Sequence, residues 1–231
     1  MKIVPSILTS DIDSFWDQIN KLSSFFDHFH IDILDGTNYG NSKTISIEDI
    51  FNTSSEHKEL IKKIALDIHF MIKNPNYLYK NVITLKSVLN INCLYFHYKI
   101  EPNIQLLYDA LGVEIGLVID TDDSIDEIAT KYDLNSIKNI TIMTITPGAQ
   151  GQSFLEYPLD KIEQLRVAGY RSNISVDGGV NDKTIPLIFS KRFLPDFLNI
   201  GSFFSKSENI KGSVKKINSI IQAFSKKTKN Q

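Results

Sequence analysis

Residues 29–36 read FHIDILDG. Phe29, Ile31 and Ile33 alternate with His30 and Asp32, and in a strand residues two apart share a face. His30 and Asp32 therefore project together from a segment that is otherwise apolar. An uncompensated charge inside a protein is costly. These two side chains must either pair with polar partners elsewhere in the chain or hold a metal ion.

Outward from this segment, short apolar runs alternate with amphipathic ones. KIVPSIL (2–8) reads as a first strand, with Pro5 confined to its end or to a bulge because proline gives no ladder hydrogen bond. In TSDIDSFWDQINKL (9–22), Ile12, Phe15, Trp16, Ile19 and Leu22 fall at helical spacing, and Ser10 or Asp11 can cap the helix. Further strands follow at FHIDIL (29–34), IALDIHFMI (64–72), CLYFHYKI (93–100), VEIGLVID (113–120), NITIMTIT (139–146), NISVD (173–177) and DFLNIG (196–201). Helix-like stretches such as 76–89, 124–132, 158–169 and 183–190 lie between them. Strands joined by helical crossovers imply a parallel sheet. Eight of them suit a single-domain α/β chain folded as a (β/α)8 TIM barrel over residues 1–231, with a doubly wound open sheet as the competing architecture.

Bulk properties narrow the function. The 231 residues are 42% hydrophobic and 23% charged with a net charge of -2, ordinary for a globular protein and unlike a nucleic-acid binder. The basic end SKKTKNQ reads as a tail frayed from about residue 225. A lone cysteine, Cys93, fits a reducing cytoplasm. No apolar run approaches the ~18 to 20 residues of a membrane span, and MKIVPSILTS does not read as a signal peptide. The expectation is a cytoplasmic protein with no membrane or nucleic-acid partner.

In a barrel the active site lies at the C-terminal ends of the strands. There the sequence offers Ser6, His30, Asp32, His69, His97 and Asp177. Two imidazoles and two carboxylates, from His30, Asp32, His69 and Asp177, are a credible ligand set for zinc or another divalent transition metal. His97 is near the same rim and receives no role. Glycine-bearing loops follow the sixth, seventh and eighth strands: TPGAQGQSF (146–154), DGGV (177–180) and NIGSFF (199–204). Glycines let backbone N–H groups approach an anion closely, and barrel phosphate sites are often built after strands seven and eight, so a phosphorylated substrate is favoured.

Six motifs, PSIL, HIDILDG, LDIHFMIKNP, MTITPGAQGQSF, SVDGG and NIGS, stand in order between Lys2 and about Phe204. Together they resemble the ribulose-phosphate 3-epimerase family. The resemblance implies a (β/α)8 barrel interconverting ribulose 5-phosphate and xylulose 5-phosphate by proton transfer at C3. It implies a divalent ion, zinc ahead of iron, manganese or cobalt, held by His30, Asp32, His69 and Asp177. Asp32 and Asp177 are then the acid–base pair, and Ser6 and His69 contact the sugar phosphate. Gly148, Ala149, Gln150, Gly151, Gly178, Gly179, Gly201 and Ser202 match its substrate and phosphate loops, and Met71 and Met143 match methionines lining the reaction centre. Homo-oligomers are the family's habit.

Several segments depart from the family pattern: TNYGN at 37–41, Leu34 where a methionine is usual, Ala149 and Gln150 in place of an aromatic and a glycine, and VIDTDDS without its usual proline. These leave open a 3-epimerase of another ketose phosphate, such as allulose 6-phosphate, or a weakened barrel kept for binding. A related decarboxylase or aldolase fits less well, because His69 stands where an Asp-x-Lys pairing would place lysine.

Overall fold

A computed structural model describes residues 1–37, 42–73, 79–147 and 151–228. Among these, eight parallel strands close into a barrel in chain order: β1 (Lys2–Ile7), β2 (His28–Leu34), β3 (Ala65–Met71), β4 (Ile91–His97), β5 (Glu114–Ile119), β6 (Asn139–Met143), β7 (Asn173–Asp177) and β8 (Phe197–Ile200). Pairing of β1 with both β2 and β8 closes the sheet and excludes the open, doubly wound alternative. The described helices are α1 (Ile12–Leu22), α2 (Ile47–Thr53), α3 (Lys58–Ile61), α4 (Tyr79–Lys86), α5 (Ile104–Leu111), α6 (Ile125–Lys131), α7 (Asp160–Val167), α8 (Ile185–Phe189), α9 (Ser202–Ser205) and α10 (Ile210–Thr228). Among the described residues, no helix is long and apolar enough to cross a membrane.

The two strand faces have separate partners. Outward residues such as Phe29, Ile31 and Ile33 of β2 join the apolar layer between barrel and helices. Into that layer α1 presents Phe15, Trp16, Ile19 and Leu22, all buried, as its periodicity predicts. Each such side chain contributes about 1.5–3 kcal/mol on burial. Asp11 caps α1 by accepting from Ser14 N at 2.7 Å, and Trp16 Nε1 donates to Thr53 Oγ1 at 2.8 Å, tying α1 to α2. Inside the barrel a smaller cluster of Cys93, Tyr95, Val118, Met143 and Ile145 fills the axis. Gly116 makes room for it, since a Cβ there would meet the Tyr95 ring at 2.5 Å.

One local expectation is corrected. Pro5 lies inside β1, not at its end or in a bulge. It is the last residue registered with β8, opposite Ile200, and Ser6 is the first registered with β2, opposite His30. The proline thus occupies the point where β1 passes from one neighbour to the other. At the C-terminal end, α10 is the longest described helix, Ile210–Thr228.

Candidate active site

Register explains how distant residues meet. Asp32 on β2 is paired with His69 on β3, and Met143 on β6 with Asp177 on β7, so these side chains emerge toward one rim of the barrel. Ser6 at the end of β1 stands opposite His30.

The four expected metal ligands converge. One donor atom from each of His30, Asp32, His69 and Asp177 lies within 4.8 Å of the other three, and all four residues are buried. His69 Nδ1 is 3.0 Å from Asp32 Oδ1 and 4.0 Å from Asp177 Oδ2. His30 Nε2 is 3.6 Å from Asp32 Oδ1 and 3.3 Å from Asp177 Oδ2. His30 is only 1% exposed, yet neither ring nitrogen makes a hydrogen bond of good geometry. Buried polar atoms are nearly always satisfied, so an orphaned imidazole aimed at two carboxylates calls for a further partner.

The electrostatics point the same way. Burial alone would keep the His30 ring neutral, but contact with Asp177 and the charges of Asp177, Asp32 and Asp67 outweigh it and push its pKa up to about 9. Burial likewise works against ionisation of Asp177, yet His30, His69 and Asn199 hold that carboxyl below its ordinary value. Asp177, held ionised beside Asp32 in a dry site, attracts a cation. This donor set could hold a divalent metal.

Neighbouring backbone and hydroxyl groups fix the two aspartates. Ser6 Oγ donates to Asp32 Oδ2 at 2.8 Å. Thr44 Oγ1 accepts from Leu34 N at 2.9 Å and donates to Asp32 O at 3.1 Å, clasping the end of β2. Thr144 donates its N–H to Asp177 O at 2.7 Å, and its hydroxyl is shared between Gly178 O at 2.6 Å and Asp177 O at 2.9 Å. Asn199 Nδ2 donates to Asp177 Oδ2 at 3.3 Å. Gly178, at φ 109°, turns the chain immediately after Asp177, where a Cβ would collide with Ile145 at 2.5 Å.

Above the cluster opens a pocket bordered by Ser6, Asp32, His69 and Asp177, by Met71 and Met143, and by Gly151, Gly178, Gly179, Gly201 and Ser202. His30 does not border it and is buried. Gly148, Ala149 and Gln150, expected in the same loop set, and Asn38–Asn41 of the unusual segment after β2, lie outside the described residues. Asn199, Thr44, Thr144 and Asp120 escape a reading of the sequence. Asn199 was legible in principle, two residues before Gly201 on the inward face of β8, but the glycine dominates that motif.

The model of the "Ribulose-phosphate 3 epimerase family" matches residues 2–204. A ribulose-phosphate 3-epimerase of Helicobacter pylori is 27% identical over 229 residues, covering 97% of this chain and 100% of the relative. One from Bacillus subtilis is 29% identical over 198 residues, covering 81% and 85%. Among solved structures, 3-hexulose-6-phosphate synthase from Salmonella typhimurium superposes with a TM-score of 0.67 at 12% identity, covering 97% of this chain and 100% of that one. That likeness reflects the barrel alone. The family match spans the strands that carry His30, Asp32, His69 and Asp177, and this chain belongs to the ribulose-phosphate 3-epimerase family.

Proposed function

We propose that this chain interconverts D-ribulose 5-phosphate and D-xylulose 5-phosphate by proton transfer at C3, with Asp32 and Asp177 as the catalytic acids and bases. The observation that carries the reading is the placement of two ionisable carboxyl groups on β2 and β7, both bordering one pocket and both held by dedicated partners. Inverting a carbon beside a ketone needs a base on one face and an acid on the other. Asp32 and Asp177 fill these roles in turn, one taking the proton as the other delivers one.

The residues fit a bound divalent ion, because His30 is buried and unsatisfied and the four donors converge. His30, Asp32, His69 and Asp177 would hold it, and zinc suits a set of two imidazoles and two carboxylates, with iron, manganese or cobalt as alternatives. When bound, such an ion supplies Lewis-acid stabilisation of the negative charge that develops as the C3 proton leaves. Ser6 keeps Asp32 oriented, and Asn199 does the same for Asp177. Met71 and Met143 border the reaction centre with thioethers that cannot protonate a carbanion. Backbone at Gly178, Gly179 and Gly201, together with Ser202, borders the same pocket and would receive the phosphate. The same reading takes the protein as a cytoplasmic homo-oligomer. The single, buried, unbridged Cys93 supports the reducing compartment.

Conversion of ribulose 5-phosphate by the zinc-loaded protein, run beside allulose 6-phosphate, tests the proposal. Preference for the pentulose is expected. Preference for the hexulose moves the assignment to a sister 3-epimerase, and turnover of neither revives the binding-only reading.

A further inference from the structure

A second polar chain runs outward from the site, behind the pocket. His69 Nε2 faces His97 Nε2 at 2.8 Å, and His97 Nδ1 faces Asp120 Oδ1 at 2.8 Å. The two imidazoles stack at 4.9 Å with 25° between their planes. Lys99 Nζ closes the chain 3.3 Å from Asp120 Oδ2. His69, His97 and Asp120 are at most 1% exposed, so water does not substitute for these contacts. Asp120 is itself braced, its N–H donating to Asp123 Oδ2 at 2.8 Å.

Proton counting along this chain leaves little freedom. An ionised carboxylate only accepts, so His97 donates from Nδ1 and presents a lone pair at Nε2. Between two nitrogens 2.8 Å apart there is room for one proton, and it then belongs to His69 Nε2. With a cation held by the four donors, the lone pair of His69 is thereby left on Nδ1, 3.0 Å from Asp32 Oδ1, a contact that otherwise needs a proton on that nitrogen. A ligating imidazole whose other nitrogen donates to a fixed acceptor is held in one tautomer and orientation.

We propose that His97 and Asp120 are positioning residues that hold His69 in the tautomer whose Nδ1 lone pair faces the cation site, with Lys99 anchoring the far end. This rests on the metal-dependent reading above and extends it to two strands, β4 and β5, that supply none of the four ligands.

The test uses zinc as the probe and nitrogen-15 NMR of the five histidine rings in the full chain. In zinc-loaded wild-type protein, His69 is expected to carry its proton on Nε2 with Nδ1 shifted by the metal, and His97 to carry its proton on Nδ1. A proton on His97 Nε2, or zinc bound through His69 Nε2, overturns the proposal and leaves the metal reading intact. Protein that takes up no zinc overturns both. Chelator competition gives a second readout. His97→Phe removes the acceptor and is expected to weaken zinc binding about 10- to 100-fold. His97→Gln, whose amide oxygen can accept from His69, is expected to restore most of that affinity. Equal affinity in wild type and both variants would reduce the chain to core packing and overturn the proposal.

Discussion

Ser6 Oγ donates a 2.8 Å hydrogen bond to Asp32 Oδ2, and this divides the duties of one carboxylate. Oδ2 is committed to β1, which leaves Oδ1 facing His69 Nδ1 at 3.0 Å. A hydrogen bond to a charged group is worth about 1.5–3 kcal/mol. Ser6→Ala is therefore expected to lower kcat/KM roughly 10- to 100-fold with the fold unchanged. Steady-state kinetics on the folded variant check this, and wild-type kcat/KM would show that Asp32 needs no such anchor.

Charge removal at either acid should be more severe. Asp32→Asn and Asp177→Asn keep the shape of the site but abolish proton transfer, an expected loss of about 10²–10⁴ or more in kcat. Asp160→Asn is the control: its carboxylate is exposed and pairs with Lys191 at 3.0 Å, far from chemistry. Comparable loss from the control would remove the special status of the pair.

Metal binding should appear as stability. A ligand at a hundred times its Kd raises the unfolding free energy by about 2.7 kcal/mol. For a chain of this size that is a rise in Tm of roughly 5–10 °C. Calorimetry of chelator-stripped protein with and without added zinc measures it. His30→Phe, which removes the orphaned imidazole, is expected to erase most of the increment.

Much of this arrangement was legible in the sequence. Alternation in FHIDIL separates the apolar outer face of β2 from the His30 and Asp32 face, and the order of strand ends groups the four donors. The His97–Asp120 chain was not legible. Each strand could be placed, but not its stagger against the next. His69 is registered with Tyr95, so His97 stands two residues further along, and His97 is registered with Val118, so Asp120 stands two further again. The tilt that closes a barrel brings these steps onto one line. In VIDTDDS the missing proline is the visible departure, and nothing in the segment marks Asp120 as the most deeply buried of its three aspartates.

Packing on the barrel axis gives a prediction independent of catalysis. Gly116→Ala would set a Cβ 2.5 Å from the Tyr95 ring, and Tyr95 is hemmed in by the interior cluster. Overpacking of this kind costs about 1–3 kcal/mol. A lower Tm is expected by calorimetry, and an unchanged one would show that the axis can relax around the methyl.

Alkaline stability follows from one buried phenol, Tyr170, and one half-buried phenol, Tyr132. Burial, ahead of the charges of Glu101 and the Tyr98 phenol, pushes Tyr132 up to about 12, and burial raises Tyr170 as well. A raised folded-state pKa favours the protonated form in the native protein, so this stability is complete below the unfolded value near 10 and is lost as pH climbs through the folded values. Denaturant unfolding should show stability falling above about pH 10, with a shallower fall in Tyr170→Phe. An identical slope in that variant would exclude Tyr170 as a source.

The chemistry itself is read at one hydrogen. Zinc-loaded protein and ribulose 5-phosphate in deuterium oxide, followed by NMR, should yield xylulose 5-phosphate carrying solvent deuterium at C3, with Asp177→Asn slowing its appearance by orders of magnitude. Epimer that retains the original C3 hydrogen, or wild-type protein that neither exchanges nor epimerises, would contradict proton transfer between Asp32 and Asp177.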